Sequence, residues 1–119
     1  AVLDWELSTL GHPLADLAYQ CMLLRMPASA KPIGGLAGLD LATLGIPGEN
    51  AYVASYVERT GIDPGGDWPF YLAFSIFRLA AIVQGVVKRA ADGNASNRDA
   101  ARLEGMVESL SRMALGIVS

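Results

Sequence analysis

Residues 68–92, WPFYLAFSIFRLAAIVQGVVKRAAD, form the longest apolar stretch of this 119-residue chain. Pro69 suits the first turn of a helix, where a backbone N–H has no partner within the helix. Asp67 is a candidate N-cap for that helix, and Gly93-Asn94 suits its end. A helix that is apolar all round is typical of a domain interior. The stretch therefore predicts a mainly α-helical fold around one central helix.

The same stretch is nearly long and apolar enough to cross a membrane. Its centre carries Arg78, and a charged residue there costs about 2.5–3.5 kcal/mol on membrane-insertion scales. Ser75 and Gln84 add further polar groups. We therefore predict the central helix of a soluble domain, with no membrane partner.

Two stripes of this helix differ in chemistry. One is purely apolar, and we expect it in the core: it consists of Phe70, Phe74, Phe77 and Ala81. The other is mixed and recurs at helical spacing: Tyr71, Ser75, Arg78, Ile82, Gly85 and Arg89. A mixed stripe on a buried helix can line a pocket, so Tyr71, Ser75 and Arg78 are candidate substrate-pocket residues. The alternative is that Arg78 extends to solvent or pairs with an internal acid.

Three more helices are predicted from residues that start or end helices and from the helical spacing of apolar residues. The first begins at Pro13 and ends near Met26, before Pro27. The second spans about 48–61, and the last runs from Asn97 to near the end of the chain, with Ser96 and Asp99 as a possible capping box. The apolar stripe of the last helix is Leu103, Met106, Val107, Leu110, Met113 and Ala114.

The segment between the first two helices, residues 27–47, is rich in proline and glycine and predicts a long loop. A single helical turn is expected around residues 40–44. Loops of this length inside compact domains are commonly functional or mobile.

Composition narrows the class of protein. Hydrophobic residues make up 52% of the chain, which excludes a disordered protein. The net charge is −3, and the few basic residues are scattered, so we expect no nucleic-acid partner. Cys21 is the single cysteine, and residues 1–20 lack a signal-peptide pattern. Both features favour a reducing, cytoplasmic compartment.

The first six residues, AVLDWE, predict the end of a strand that presents two carboxylates. Positions two apart on a strand face the same side, so Asp4 and Glu6 could share a cation. Magnesium favours one or two carboxylates together with substrate phosphates. The alternative is structural: Asp4 accepts hydrogen bonds from the following turn, and Glu6 is solvated. The chain begins at Ala1 in what we predict to be mid-strand, which suggests a longer parent.

Asp16 and His12 lie at the start of the first predicted helix. An acid in a first turn is stabilised by the helix dipole, typically by about 0.3–1 kcal/mol, and this explanation of Asp16 needs no function. His12 is the only histidine, and its simplest role is that of a helix-cap or turn residue. We find no serine or cysteine in a recognisable nucleophile setting beside it, so hydrolase chemistry has no support.

Residues 1–19, AVLDWELSTLGHPLADLAY, resemble the metal-binding segment of the aminoglycoside phosphotransferase family. The members of this family are small-molecule kinases that share the protein-kinase fold. Asp4 matches the magnesium-binding acid of that family. Asp16, in Asp16-Leu17-Ala18-Tyr19, matches a second acid that accepts hydrogen bonds from the catalytic loop. The resemblance implies Mg²⁺ and ATP as cofactors, Asp4 as a metal ligand, and Asp16 as a residue that rigidifies the site without touching substrate.

A second set of residues narrows the resemblance. Residues 74–81, FSIFRLAA, with Gln84-Gly85 and Gly93-Asn94-Ala95, look like kinase-like domains that are fused to acyl-CoA dehydrogenases. This similarity implies a small-molecule hydroxyl acceptor of hydroxyacyl-CoA type.

The family's catalytic base and ATP-binding lobe have no counterpart in the chain. The resemblance implies that residues 1–119 are the C-terminal helical subdomain of a kinase-like fold, that its partner is the remainder of its own kinase domain, and that it is inactive alone. Two alternatives remain open: a non-enzymatic helical interaction domain, and a pseudokinase that binds nucleotide without turnover.

Overall fold

The computed structural model describes Leu3, residues 8–94 and residues 97–119. Within these ranges the chain forms four α-helices and no strand: α1 (Pro13–Arg25), α2 (Glu49–Thr60), α3 (Trp68–Arg89) and α4 (Asn97–Val118). The predicted mainly α-helical fold is therefore confirmed. The predicted strand end around Asp4 and the capping box at Ser96 lie outside the described residues.

Proline and glycine set most helix ends where the sequence predicts them. Pro13 is the first residue of α1. Gly61 ends α2 in the left-handed conformation, with φ 72°, and its N–H donates to the carbonyl of Val57 at 2.8 Å. That conformation is readily available only to glycine, which explains why the helix ends there.

The two ends of α3 are less regular. A short 3₁₀ turn, Gly65–Asp67, leads into the helix. Asp67 was expected to cap α3, and this expectation is wrong: its backbone is already helical, at φ −84° and ψ −2°, and its side chain makes no capping hydrogen bond. At the other end α3 continues into a π-helical turn, Ala90–Asn94, close to the predicted end.

The long loop between α1 and α2 folds back on the end of α1. Leu36 N–H donates to the carbonyl of Leu23 at 2.8 Å, and Ala37 N–H donates to that of Met26 at 2.9 Å. These bonds satisfy carbonyls that a helix end leaves without partners. Further along, the predicted single turn is present, and the Asp40 carboxylate accepts from the Thr43 hydroxyl at 2.7 Å.

The core lies on one side of α3, between α3, α1 and α4. Its larger cluster joins the end of α1, the middle of α3 and the middle of α4: Met22, Met26, Ile76, Leu79, Ala80, Val83, Met106 and Leu110. The smaller cluster joins the start of α1 to Leu72 of α3, and α2 packs on it through Val53 and Tyr56. The predicted stripe of α4 is confirmed, because Met106 and Leu110 are buried and its other members pack against them.

The prediction for the apolar stripe of α3 is wrong. Phe70, Phe74 and Phe77 are 62%, 41% and 64% exposed, and Ala81 is also exposed. The buried face is a different apolar one, which includes Leu72, Ile76 and Val83. Both faces are apolar, so hydrophobicity alone could not decide which one meets α1 and α4.

By length and composition alone, the helical stretch Gly65–Asp92 could cross a membrane. The core helix of a soluble protein passes the same test. Here one face of α3 packs on α1 and α4, and Arg78 lies halfway along the helix.

Candidate functional site

The predicted metal ligand cannot be placed. Asp4 and its neighbour Glu6 lie outside the described residues. Among the residues that are described, no group of three or more histidine, cysteine, aspartate or glutamate side chains is close enough to hold a metal ion. The role of Asp4 as a magnesium ligand therefore stays a prediction.

The start of α1 carries His12 and Asp16 on its outer side. His12 is the N-cap, as predicted, and its Nδ1 accepts a hydrogen bond from the N–H of Leu14 at 3.3 Å. Asp16 lies in the first turn with an exposed side chain, and no hydrogen bond to it is found within the described part of the chain. Its carboxylate is thus free to accept donors from groups beyond these residues.

The start of α3 lies against this end of α1. The ring of Tyr71 stacks on that of His12, with centroids 5.4 Å apart. One turn further, Ser75 is fully buried, and its hydroxyl donates to the carbonyl of Ala15 at 3.5 Å. Tyr71 is half-buried at the helix seam, whereas Ser75 joins the two helices from inside.

Arg78 is exposed, and its guanidinium lies over the ring of Tyr19, 4.9 Å from the centroid. This is a cation–π contact, which leaves the guanidinium N–H groups accessible to other partners. Of the two alternatives for Arg78, extension to solvent agrees with this geometry.

These side chains form one surface along the seam of α1 and α3. Residues 12, 16 and 19 recur at helical spacing along α1, as do residues 71 and 78 along α3. The stacking of His12 on Tyr71 and the contact of Arg78 with Tyr19 link the two rows. We call this set the seam surface: His12, Asp16, Tyr19, Tyr71 and Arg78. It combines one cation, one carboxylate and three aromatic rings. Such a surface can hold an anionic group at Arg78 and stack a planar one beside it.

A polar cluster around Glu49 was not predicted. Glu49, in the first turn of α2, accepts from Nε and Nη2 of Arg25 at 2.6 Å each and from the indole N–H of Trp68 at 3.0 Å. Burial alone would raise the pKa of Glu49, but these hydrogen bonds outweigh it and hold the pKa below its ordinary value. The cluster ties three helices together. The local sequence indicates only that Glu49 is an acidic residue at the start of a helix.

Comparison with known proteins gives matches of one kind. The chain is 46% identical over 114 residues to "Acyl-CoA dehydrogenase family member 10" of Mus musculus, 38% identical over 116 residues to "Acyl-CoA dehydrogenase family member 11" of Homo sapiens, and 35% identical over 125 residues to "Probable acyl-CoA dehydrogenase IBR3" of Arabidopsis thaliana. These alignments cover 96%, 97% and 99% of the chain. No family model matches it, and no solved structure does.

The chain spans 11% of the length of the mouse protein and 15% of each of the other two. It is therefore homologous to one short segment of much longer acyl-CoA dehydrogenase family members. Their names agree with the predicted link to acyl-CoA dehydrogenases and do not mention phosphotransfer.

Proposed function

We propose that the chain is the C-terminal helical part of an aminoglycoside-phosphotransferase-like kinase module within a longer protein. The intact module transfers the γ-phosphoryl group of ATP to a hydroxyl on a small molecule of hydroxyacyl-CoA type. Residues 1–119 alone are inactive, because they lack the base and most of the nucleotide site.

One observation carries this proposal. The kinase-type pattern from Asp4 to Tyr19 leads directly into α1, and two α1 residues of the pattern, Asp16 and Tyr19, belong to the seam surface. Asp16 keeps an exposed carboxylate there, as a residue must if it is to accept hydrogen bonds from a catalytic loop elsewhere in the protein. Similarity to acyl-CoA dehydrogenase family members supports the acyl-CoA class of acceptor.

Arg78 is the candidate for acceptor binding. Its guanidinium is exposed on the seam surface and is held in place by Tyr19. A CoA-type acceptor carries phosphates, and arginine binds phosphate in a bidentate manner. Tyr71, stacked on His12, adds an aromatic surface for a planar group.

The test uses a longer protein that contains residues 1–119 and the sequence upstream. It is incubated with Mg-ATP and a hydroxyacyl-CoA, and mass spectrometry follows the transfer of one phosphoryl group to the acceptor. We expect turnover that Asp4→Asn abolishes and that the surface control Glu108→Gln leaves intact. Binding of Mg-ATP without turnover would favour the pseudokinase alternative. Absence of both binding and turnover would overturn the proposal.

The non-enzymatic alternative has one observation in its favour. The exposed phenylalanines of α3 form an apolar surface of the kind that marks an interaction site. This surface adjoins the seam surface through the Phe70–Tyr71 ring contact but shares no residue with it, so a kinase module can carry both. It favours an interaction role only if the longer protein neither binds nucleotide nor transfers phosphate.

A further inference from the structure

A cavity of about 420 Å³ lies between the end of α1, the start of the loop that follows it and the middle of α4. Three of the four methionines of the chain, Met26, Met106 and Met113, line it together with Leu110. We call it the methionine cavity. Met26, Met106 and Leu110 are buried members of the larger core cluster, so the floor of the cavity is the core itself. The cavity shares no residue with the seam surface.

The walls of the methionine cavity suit a flexible apolar chain. Methionine side chains are unbranched and adapt to the shape of the group that they contact, and they are frequent at surfaces that bind varied apolar partners. Gly105 of α4 also borders the cavity, and no atom of the described residues lies within 4 Å of the point where its methyl group would be. A glycine weakens the interior of a helix, and here it leaves one wall open.

The mouth of the cavity is basic. Arg25 and Lys31 border it with exposed side chains, and no acidic residue is among the described residues that line it. Arg25 binds Glu49 through Nε and Nη2, so Nη1 lies outside that ion pair. Because Glu49 balances the charge of Arg25, Lys31 supplies the positive charge for a further anion. The cavity therefore combines an apolar floor with a cationic mouth.

The part of the loop that carries Lys31 is held by backbone hydrogen bonds. The carbonyl of Pro27 accepts from the N–H groups of Ala30 and Gly35, at 3.1 Å each. These bonds close the loop on itself directly after α1 and keep Lys31 beside the cavity. A site that is already formed loses less conformational freedom when a ligand binds.

We propose that the methionine cavity binds a fatty carboxylate. The hydrocarbon chain lies against the methionines and Leu110, and the carboxylate lies at the mouth, where Lys31 and Arg25 donate to it. A sugar or a nucleotide fits less well, because it would bring polar groups against buried apolar side chains without partners for them. This binding needs no phosphoryl transfer, so the inference goes beyond the proposed kinase activity.

The test titrates sodium octanoate into residues 1–119 and follows the heat of binding by isothermal titration calorimetry. We expect one saturable site with a Kd below about 1 mM. Each buried methylene contributes about 4-fold in affinity, so hexanoate should bind up to about 15-fold more weakly than octanoate, and decanoate more tightly until the cavity is filled. 1-Octanol, which has the chain without the charge, should bind about 3- to 10-fold more weakly than octanoate.

One pair of variants tests the place of the hydrocarbon chain. Gly105→Leu fills the cavity and should weaken octanoate binding at least about 10-fold. Gly116→Leu is the matched control, since Gly116 also lies in α4 with open space around it but does not line the cavity. Both changes remove a glycine from a helix, so neither should lower the melting temperature. Ser109→Leu fills the cavity from a second position and serves if Gly105→Leu proves unstable.

A second pair of variants tests the charge. Lys31→Met should weaken octanoate binding about 3- to 10-fold and leave the binding of 1-octanol unchanged. Lys88→Met removes an exposed lysine of α3 that does not line the cavity, and it should change neither Kd.

Four results would overturn the proposal. They are the absence of saturable octanoate binding, equal affinity for octanoate and 1-octanol, octanoate binding that survives both Gly105→Leu and Ser109→Leu, and binding of octanoyl-CoA without binding of octanoate. The last result would assign the cavity to the acyl chain of a thioester. None of these measurements uses ATP or turnover, so this proposal and the kinase proposal fail independently.

Discussion

Arg25, in the last turn of α1, donates two parallel hydrogen bonds to Glu49, in the first turn of α2, each 2.6 Å long. The Glu49 side chain is only 16% exposed, whereas that of Arg25 is 40% exposed. The two residues are 24 positions apart in the sequence, so the ion pair joins the end of α1 directly to the start of α2. Because α2 has no fully buried residue, this contact and its bond to Trp68 do much to fix the position of α2.

Replacing Glu49 with glutamine should destabilise the chain measurably. The substitution keeps the shape but removes the charge that Arg25 and Trp68 both contact. Hydrogen bonds to charged groups contribute more than neutral ones, and partial exposure of Arg25 reduces the effect, so we expect a loss of about 1–2 kcal/mol in the free energy of unfolding. Urea denaturation of the isolated chain measures it.

The control is a second ion pair of equal length. Arg112 donates to Glu108 at 2.6 Å within α4, but the two side chains are 78% and 67% exposed. Glu108→Gln should therefore cost only about 0.3–0.5 kcal/mol. Equal losses from the two substitutions would show that burial and the tryptophan contact add nothing at Glu49.

The stability that Glu49 provides should depend on pH in the acid range. Its pKa in the folded chain lies below the ordinary value of 4.5, so the unfolded chain takes up the proton first. The contribution is therefore fully present above about pH 4.5 and is lost as pH falls through the folded pKa. Melting temperatures of the native chain and of Glu49→Gln should differ at neutral pH and converge in acid.

Asp40 also has a lowered pKa, because the hydroxyl and backbone N–H of Thr43 donate to it, so it adds its own acid dependence to both proteins. Only the difference between the two melting curves therefore reports on Glu49. A difference that stays constant from neutral pH to about pH 3 would contradict the assignment.

Cys21 should be unreactive in the folded chain. Burial raises the pKa of its thiol to about 11, with a smaller effect from nearby Glu49. Relative to the ordinary value of 9.0, the thiolate fraction near pH 8 falls about 100-fold. Labelling with an aromatic disulfide reagent should be very slow in buffer and fast in urea. Equal rates in the two conditions would show that the site opens readily.

The raised pKa of Cys21 also predicts that the folded chain loses stability at alkaline pH. The folded chain holds its thiol proton more tightly than the unfolded chain does. The stabilisation is therefore complete below about pH 9 and declines as pH rises towards 11. Cys21→Ala should remove this part of the alkaline dependence.

Gly35 is a position where a side chain should not fit. A methyl group there would overlap the carbonyl oxygens of Leu23 and Met26, which accept hydrogen bonds from the returning loop. Gly35→Ala should therefore displace the loop and cost about 1–3 kcal/mol, in the range of other overpacking substitutions. Thermal unfolding measures the loss.

Gly116 provides the matched control. It lies within α4 and has open space where a methyl group would go. Gly116→Ala should stabilise the chain by about 0.5–1 kcal/mol, because alanine loses less backbone entropy in a helix. If both substitutions stabilise the chain, the loop does not pack as described.

The helices could be predicted from the sequence because their boundaries are local. Pro13 begins α1 and Gly61 ends α2 through backbone geometry that each residue carries with it. Contacts between helices carry no such local signal. The two apolar faces of α3 look alike in sequence, and only packing on α1 and α4 selects the one with Leu72 over the one with Phe74.

The residues of the candidate site also divide into those whose role follows from the local sequence and those whose role depends on contacts between helices. The N-cap role of His12 followed from its place before Pro13, and the structure confirms it. The contact of Arg78 with Tyr19 joins residues far apart in the chain and could not be predicted from spacing. The bond of Ser75 to Ala15 likewise depends on how closely α3 approaches α1. The role of Asp4 as a metal ligand stays a prediction.

The last prediction concerns Arg78, whose structural and functional roles can be separated. Its contact with Tyr19 is exposed, and an exposed cation–π pair contributes about 0.5–1 kcal/mol. Arg78→Met should therefore lower the stability of the isolated chain only slightly. A double-mutant cycle with Tyr19→Leu should recover a coupling energy of that size.

If a longer protein that contains residues 1–119 is a kinase as proposed, the same substitution should act on the binding of the acceptor. If the guanidinium binds an anionic group of the substrate, Arg78→Met raises KM for the acceptor about 10-fold or more, while KM for ATP and the melting temperature change little. Tyr19→Leu should raise the acceptor KM less, because it only frees the side chain that binds. A large drop in melting temperature with Arg78→Met would mark the residue as structural, since an exposed guanidinium that stabilises the fold so strongly must have partners beyond Tyr19.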